Sequence, residues 1–87
     1  MEVAYTQKAL EDIRFWKNTG NKKVMTKIAA LVENIKLSPF EGLGKPEPLK
    51  GNLSGYWSRR IDQEHRFVYS FYDGTLTIIQ CRFHYQK

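Results

Sequence analysis

The spacing of the apolar residues changes once along this chain of 87 residues, and that change limits the folds available to it. In the first half, four apolar residues recur at the steps that form one face of an α-helix: Val24, Ile28, Leu31 and Ile35. In the second half, three aromatic residues alternate as on one face of a β-strand: Phe67, Tyr69 and Phe71. Helices followed by strands predict an α+β domain, in which two N-terminal helices pack on one face of a small antiparallel sheet.

Capping and turn residues divide the two halves into elements. Thr6 can cap the first helix and Pro39 ends the second. Asp73 followed by Gly74 forms a strong hairpin turn. The predicted elements are a strand at 2–6, helices at 7–18 and 21–37, and strands at 56–61, 65–72 and 75–85. A glycine- and proline-rich loop at 40–55 separates the helices from the last three strands.

The length and charge of the chain bear on its organisation and its partners. We expect residues 1–87 to form a single domain. A chain this short buries a modest core, so a homodimer or a partner chain would add stability. Fourteen Lys and Arg residues against nine Asp and Glu residues give a net charge of +5. This charge favours a polyanionic partner, either a nucleic acid or an acidic protein.

Cysteine usage and the N-terminal residues bear on the location of the protein. Cys81 is the only cysteine, so the chain can form no internal disulfide and no thiolate metal cluster. That usage fits the reducing cytosol. The first ten residues lack the pattern of a secretory signal, and no apolar run approaches the roughly 20 residues that span a membrane. We therefore expect a cytoplasmic protein with no membrane partner.

Strand alternation also sorts the charged residues. If the aromatic face lies under the helices, the uncovered face of the sheet carries Arg66, Arg82 and His84. His65 points to the opposite side, and we assign it a structural role or a place in the turn. A basic sheet face is usually only a solvated surface, so this pattern does not identify a site by itself.

Three side chains of suitable chemistry can cleave RNA without a metal. A base removes the proton of the 2′-hydroxyl, an acid protonates the leaving 5′-oxygen, and a cation stabilises the charge on the phosphorane. Glu47, His84 and Arg66 supply one group of each type, and the prolines on either side of Glu47 restrict its backbone. Four other side chains could contact phosphate or stack on a base: Lys50, Arg60, Arg82 and Tyr85.

Other kinds of catalytic site have weaker support. His65 and His84 are the only histidines, and the chain has neither the CxxC nor the HExxH pattern of recognised metal sites. No serine lies in the context of a nucleophile elbow. We therefore expect no metal and no cofactor.

A long run of residues in the second half is more specific than any of these patterns. The segment PFEGLGKPEPLKGNLSGYWSRRIDQEHRFVY, followed by CRFHY, closely resembles the YoeB-type toxins of bacterial toxin–antitoxin systems, in the RelE superfamily. The strong match covers residues 38–85, whereas residues 1–37 agree in pattern more than in letters. The resemblance implies a compact α+β domain with two helices on a twisted antiparallel sheet. It also implies a ribosome-dependent endoribonuclease that cuts mRNA in the decoding A site.

The resemblance assigns a role to each motif residue. By position, Glu47 of PEP is the general base, Arg66 of EHR stabilises the transition state, and His84 of the terminal HY is the general acid. The remaining motif positions imply two phosphate contacts and a tyrosine beside the acid: Lys50, Arg60 and Tyr85. The chain departs from the pattern where it continues with Gln86 and Lys87 past the usual terminal tyrosine, and where Gly51 replaces a frequent histidine.

The resemblance also implies a co-expressed antitoxin. We expect a disordered acidic segment of that partner, with interspersed apolar residues, to fold across the basic sheet face and the helical hairpin. Two other functions stay open. A gyrase-directed toxin of the ParE branch would have the same fold without the set of Glu47, Arg66 and His84. A non-enzymatic module that binds RNA or protein would tolerate replacement of Glu47 and His84.

Overall fold

The computed structural model describes residues 1–84. Its elements in chain order are β1 (Glu2–Tyr5), α1 (Gln7–Thr19), α2 (Lys22–Leu37), β2 (Glu47–Pro48), β3 (Trp57–Arg60), β4 (Arg66–Tyr72) and β5 (Thr75–Gln80). One turn of 3-10 helix at Gly51–Leu53 lies between β2 and β3. Both predicted helices are confirmed within two residues at each end. The last strand is shorter than predicted, because it ends at Gln80 and residues 81–84 are not part of it. No helix among these residues is long and apolar enough to cross a membrane.

Two side chains cap the helices and fix the hairpin between them. The hydroxyl of Thr6 accepts a hydrogen bond from the amide of Ala9, and the side chain of Asn21 does the same for Val24. Gly20 ends α1 at φ 68°, a left-handed conformation that glycine adopts without steric cost. The Thr6 hydroxyl also donates to the carbonyl of Ile79 at 2.7 Å. The start of α1 is therefore tied to the sheet.

The strands form one sheet in the order β1-β5-β4-β3-β2. The chain from β2 to β5 pairs antiparallel throughout, as the hairpin turn predicts. β1 is the exception, because it lies parallel to β5. The α+β class is confirmed, and the sheet is mixed because of this one edge strand. The direction of β1 is set by its pairing with β5, near the other end of the chain, so it cannot be predicted from local sequence patterns.

The helices and one face of the sheet enclose the apolar core. Its buried members are Ala9, Trp16, Val24, Ile28, Leu31, Ile35, Ile61, Phe67, Tyr69, Leu76, Ile78 and Cys81. The helical stripe and two of the three aromatic strand residues are thus buried as predicted, and Phe71 is partly buried. We call the opposite side of the sheet, which neither helix covers, the helix-free face.

A β-bulge changes which residues of β5 face the core. Val68 pairs with Gln80, whereas Tyr69 pairs with Ile78, so Ile79 is an extra residue in β5. Ile78 and Cys81 both lie in the core as a result. Strict alternation places Ile78 and Cys81 on opposite faces. Alternation counted from Arg82 and His84 therefore puts Ile78 on the uncovered face, and the buried position of Ile78 shows that this is wrong for the part of β5 before the bulge.

Arg59 of β3 is fully buried and holds the loop that follows α2. Its guanidinium donates to five neutral oxygens: the carbonyls of Ser38, Glu41 and Leu43, Oδ1 of Asn34 and the hydroxyl of Tyr69. The Tyr69 hydroxyl donates in turn to the carbonyl of Pro39 at 2.7 Å. Burial raises the pKa of Tyr69, although the adjacent Arg59 acts in the opposite direction. The loop ahead of β2 is therefore fixed to the core by one arginine.

Candidate active site

The register of the sheet brings three of the predicted site residues onto one face. Glu47 of β2 pairs with Ser58 of β3, and Ser58 pairs with Val68 of β4. Directly paired residues point to the same face of a sheet, and so do residues two apart along one strand. Glu47, Arg60 and Arg66 therefore share the helix-free face, because Phe67 and Tyr69 occupy the core side.

Arg60 and Arg66 are themselves a directly opposed cross-strand pair. Arg60 is exposed, and its backbone amide donates to the carbonyl of Gly44 at 2.7 Å. A Cβ atom at Gly44 would lie 3.0 Å from the carbonyl oxygen of Arg60, and Gly44 has a positive φ of 83°, so glycine suits this close approach. The loop that Arg59 fixes therefore also fixes the backbone of Arg60.

Arg66 is more buried than the sequence indicated. We expected an open position on the uncovered face, but only 8% of Arg66 is exposed. Its Nη1 donates to the carbonyls of Asp62, Gln63 and His65 at 2.8, 3.1 and 3.2 Å. The turn between β3 and β4 therefore wraps one side of the guanidinium. Nε and Nη2 are donors that this turn does not occupy.

Residues 81–84, which we call the tail segment, return to the start of β4. The amide of Arg66 donates to the carbonyl of Phe83 at 3.0 Å, so His84 directly follows a residue that is bonded to Arg66. His84 is exposed, and its carbonyl accepts from the side-chain amide of Gln80 at 3.3 Å. The predicted acid and the predicted charge stabiliser are thus brought together through the backbone.

The predicted position of Arg82 on the helix-free face is wrong. Its guanidinium carbon lies 3.4 Å from the centre of the Phe15 ring on α1 and 4.3 Å from that of Phe83. Nε of Arg82 is buried and has no hydrogen-bond partner within residues 1–84. Arg82 packs towards α1 because β5 ends at Gln80, and strand alternation does not extend beyond that residue.

Lys50 lies on the loop between β2 and β3 and lines the same surface cavity as Glu47 of β2. This cavity of about 460 Å³ is lined by the chain from Glu47 to Leu53, and the exposed Lys50 lies on it. Gly51 has a φ of 64°, a left-handed conformation that a histidine would adopt only with strain.

Tyr85 lies outside the described residues. Within residues 1–84, no three His, Cys, Asp or Glu side chains are grouped as a metal ion would require.

His65 has a structural place at the turn, as predicted. Its Nδ1 accepts a hydrogen bond from the amide of Phe83 at 2.8 Å. Its ring meets the edge of the Trp16 ring at 4.8 Å between centres. The Trp16 indole donates to the carbonyl of Cys81 at 2.9 Å. His65 therefore supports the tail segment that carries His84.

Sequence reasoning missed Arg59, Gln80 and Asp12. Alternation along WSRR places Arg59 on the same side as Trp57, and this signal could have identified Arg59 as buried. No local signal marks Gln80, because its side chain bonds the backbone carbonyls of Arg82 and His84, which lie beyond the end of β5. Asp12 is buried, and its Oδ2 accepts from the amide of Cys81 at 3.0 Å.

Cys81 is buried rather than reactive. Burial, with the charge of Asp12 acting in the same direction, raises the pKa of the Cys81 thiol to about 12. A thiol of this kind stays protonated at neutral pH and is a poor nucleophile.

Comparison with known proteins agrees with this fold. A family model described as the YoeB-like toxin of bacterial type II toxin-antitoxin system matches residues 5–85. The toxin YoeB of Synechocystis sp. is 52% identical over 87 residues, which is the full length of both chains. The toxin YoeB of Escherichia coli strain K12 is 47% identical over 98% of this chain and 100% of its own length.

Solved structures give the same result. The YoeB/ParE toxin from Agrobacterium tumefaciens is 52% identical, with a TM-score of 0.92 over 98% of this chain and 100% of that chain. The toxin of Staphylococcus aureus is solved in a heterotetrameric YoeB-YefM toxin-antitoxin complex. It is 41% identical, with a TM-score of 0.88 over 98% of both chains. A YoeB dimer from S. aureus is also solved, with a TM-score of 0.89. The chain belongs to the YoeB-like toxins of bacterial type II toxin–antitoxin systems.

Proposed function

We propose that this protein is a ribosome-dependent endoribonuclease that cuts mRNA in the ribosomal A site and so inhibits translation. The observation that carries the proposal is the shared position of Glu47, Arg60 and Arg66 on the helix-free face. The tail segment adds support, because it joins His84 to the start of β4 through the Phe83 carbonyl. Side chains of this chain thus supply a base, an acid and two cations, and the proposed reaction needs no cofactor.

In the proposed reaction, Glu47 accepts the proton of the 2′-hydroxyl. The 2′-oxygen attacks phosphorus, and the bond from phosphorus to the 5′-oxygen breaks. His84 donates a proton to that leaving oxygen, which becomes a 5′-hydroxyl. The other product carries a 2′,3′-cyclic phosphate or the 3′-phosphate formed by its hydrolysis.

Arg66 is suited to stabilise the charge that develops on phosphorus. Three backbone carbonyls hold its Nη1, so the guanidinium is oriented before the substrate arrives. Preorganised donors of this kind stabilise a transition state without the cost of reorienting solvent. Arg60 lies opposite Arg66 and Lys50 lines the same cavity as Glu47, so both can bind the flanking phosphates. Arg82 packs on α1 and has no part in this proposal.

We propose that the ribosome holds the codon for this small domain. The loop cavity beside Glu47 is open, and a net charge of +5 provides few phosphate contacts. A ribosome that presents the codon in a fixed orientation would supply effective molarity that the toxin cannot. We therefore expect far slower cleavage of free mRNA than of ribosome-bound mRNA at physiological salt.

The proposed partners are a cognate antitoxin and a second copy of the chain. YoeB of S. aureus is solved in a YoeB-YefM complex, and a YoeB dimer from S. aureus is also solved. For this protein, Lys50, Arg60 and Arg66 would attract an acidic antitoxin segment to the helix-free face. Charge reversal at Arg60 should then weaken antitoxin binding, and bound antitoxin should protect residues 47–84 from hydrogen exchange. Unchanged affinity together with unprotected amides would contradict this mode of neutralisation.

The experiment that tests the nuclease proposal is expression of the chain alone in growing bacteria, with mapping of mRNA 5′ ends. We expect new ends with 5′-hydroxyls at positions set by the reading frame. The variant Glu47→Gln keeps the size of the side chain and should abolish these ends. Growth arrest without new mRNA ends, together with altered DNA supercoiling, would support a gyrase-directed toxin instead.

A further inference from the structure

The backbone of the tail segment is bound on both sides by groups from elsewhere in the fold. Asp12 and Trp16 of α1 bind the amide and the carbonyl of Cys81. His65 and the backbone amide of Arg66 bind the amide and the carbonyl of Phe83. Every hydrogen bond in this set ends on the backbone of the tail segment. These hydrogen bonds therefore fix the position of the backbone that leads into His84.

The conformation of Phe83 indicates that these contacts impose a shape on the tail segment. Phe83 has a φ of 64°, which lies in the left-handed region that bulky residues rarely adopt. Such a residue persists only where its surroundings determine its backbone. The next residue in the chain is His84, so the left-handed turn sets the direction of the imidazole.

His65 binds the inner side of this turn. The amide of Phe83 donates to Nδ1 of His65, so the neutral ring carries its proton on Nε2. Nε2 lies 3.7 Å from a carboxylate oxygen of Glu64, and the ring is held edge-on against Trp16. The ring is therefore oriented to serve as an acceptor at this one amide.

Gln80 spans the turn from the helix-free face. Its pairing with Val68 places it on the same face as Arg66. Its side-chain amide donates to the carbonyl of Arg82 at 3.0 Å and to that of His84 at 3.3 Å. One amide thus bonds both residues that flank Phe83. Because the other contacts keep the tail segment attached, loss of this amide would shift His84 without unfolding the chain.

We propose that His65 and Gln80 are positioning residues that set the place of the His84 imidazole at the leaving 5′-oxygen. This inference rests on the proposed nuclease function and adds two residues that act through the backbone of the tail segment. His65 acts by accepting one hydrogen bond, and Gln80 acts by donating two.

The first test exchanges only these hydrogen bonds. His65→Asn keeps an acceptor close to the position of Nδ1, whereas His65→Leu removes it. Gln80→Met keeps the length of the side chain and removes the donor. Gln7→Met is the matched control, because Gln7 lies exposed on α1 and its side chain donates, within the described residues, to the exposed Glu11 alone.

The readouts are the single-turnover cleavage rate on programmed ribosomes, the affinity for those ribosomes and the thermal midpoint. We expect Gln80→Met and His65→Leu to lower the rate by about 10²-fold, since small misplacements of a catalytic group cost that much. Ribosome affinity should not change. His65→Asn should recover most of the rate that His65→Leu loses. Wild-type rates for both Gln80→Met and His65→Leu would overturn the proposal.

A double-mutant cycle decides whether Gln80 acts through His84. In the His84→Ala background there is no imidazole to position, so Gln80→Met should cause no further loss. An equal loss in both backgrounds would overturn the proposal.

The His84 ring signals in NMR spectra supply a readout that does not depend on cleavage. If the wild-type protein does not cut mRNA, the proposed nuclease function is wrong. If Gln80→Met leaves the ring signals of His84 unchanged, the proposed positioning role of Gln80 is wrong, whatever the result for cleavage.

Discussion

Arg60 of β3 and Arg66 of β4 lie directly opposite each other on the face of the sheet that no helix covers. Like charges at directly opposed positions destabilise a sheet in the absence of a ligand. A phosphate bound by both would relieve this repulsion and gain charge-assisted hydrogen bonds. The pair therefore favours an anion-binding role over a purely structural one.

Replacement of Arg60 by alanine should reduce binding to a short 2′-O-methyl RNA, which cannot be cleaved. The slope of log affinity against log salt should fall by about one, because one phosphate contact is lost. Arg14→Ala, at an exposed arginine of α1, is the matched control and should leave the slope unchanged. Equal slopes for Arg60→Ala and the wild type would show that Arg60 binds no phosphate.

Substitutions of the three proposed catalytic residues should separate activity from stability. Glu47→Ala and His84→Ala remove exposed side chains, so the free energy of unfolding should change by no more than about 0.5 kcal/mol. Each should slow single-turnover cleavage by roughly 10²–10⁴-fold.

Arg66→Ala should behave differently from the other two. It should slow cleavage and also cost about 1–3 kcal/mol of stability, because the carbonyls of Asp62 and Gln63 lose the guanidinium donor, whereas the His65 carbonyl still accepts from the amide of Ile61. Urea denaturation measures this difference. Equal stability of all three alanine variants would contradict the structural part of the Arg66 assignment.

Arg59 should matter for folding and not for chemistry. Arg59→Lys should destabilise the protein by on the order of 3 kcal/mol, because one ammonium group cannot replace the donors that reach five oxygens. Arg60→Lys is the adjacent control and should change stability by less than about 0.5 kcal/mol. Chemical denaturation of both variants tests the contrast, and similar values would refute it.

The raised pKa of Cys81 makes stability depend on alkaline pH. The unfolded thiol loses its proton near the ordinary value of 9.0, whereas the folded thiol keeps its proton until about 12. The unfolded state therefore binds fewer protons in this window, and stability falls as pH rises, by up to about 1.4 kcal/mol per pH unit. Below pH 9 this contribution is constant.

Cys81→Ala removes this dependence and isolates it from other groups that titrate at alkaline pH. The difference in unfolding free energy between wild type and variant should shrink steadily from pH 9 to pH 11. Parallel curves for the two proteins would show that the thiol is not protected.

Local signals explain what the sequence could predict. The stripe from Val24 to Ile35 and the turn at Asp73 and Gly74 depend on neighbouring residues, and both are confirmed. The parallel pairing of β1 depends on contacts between the two ends of the chain, and it could not be predicted from local patterns.

The site was predictable in its chemistry more than in its geometry. The motif letters indicated Glu47 and Arg66, and the register places both on one face of the sheet. The early end of β5 at Gln80 depends on packing, so alternation gave the wrong face for Arg82. Gln80 carried no signal because its side chain bonds backbone carbonyls of the tail segment, beyond the end of β5.

The most direct test of the account uses mRNA with a single 2′-deoxy sugar at the scissile position, bound on programmed ribosomes. Attack by the 2′-hydroxyl is the proposed first step, so this message should resist cleavage. The matched message, with the 2′-deoxy sugar one nucleotide away, should be cut at the normal rate to give a 5′-hydroxyl and a cyclic phosphate. Cleavage of both messages at the same rate would contradict the central claim.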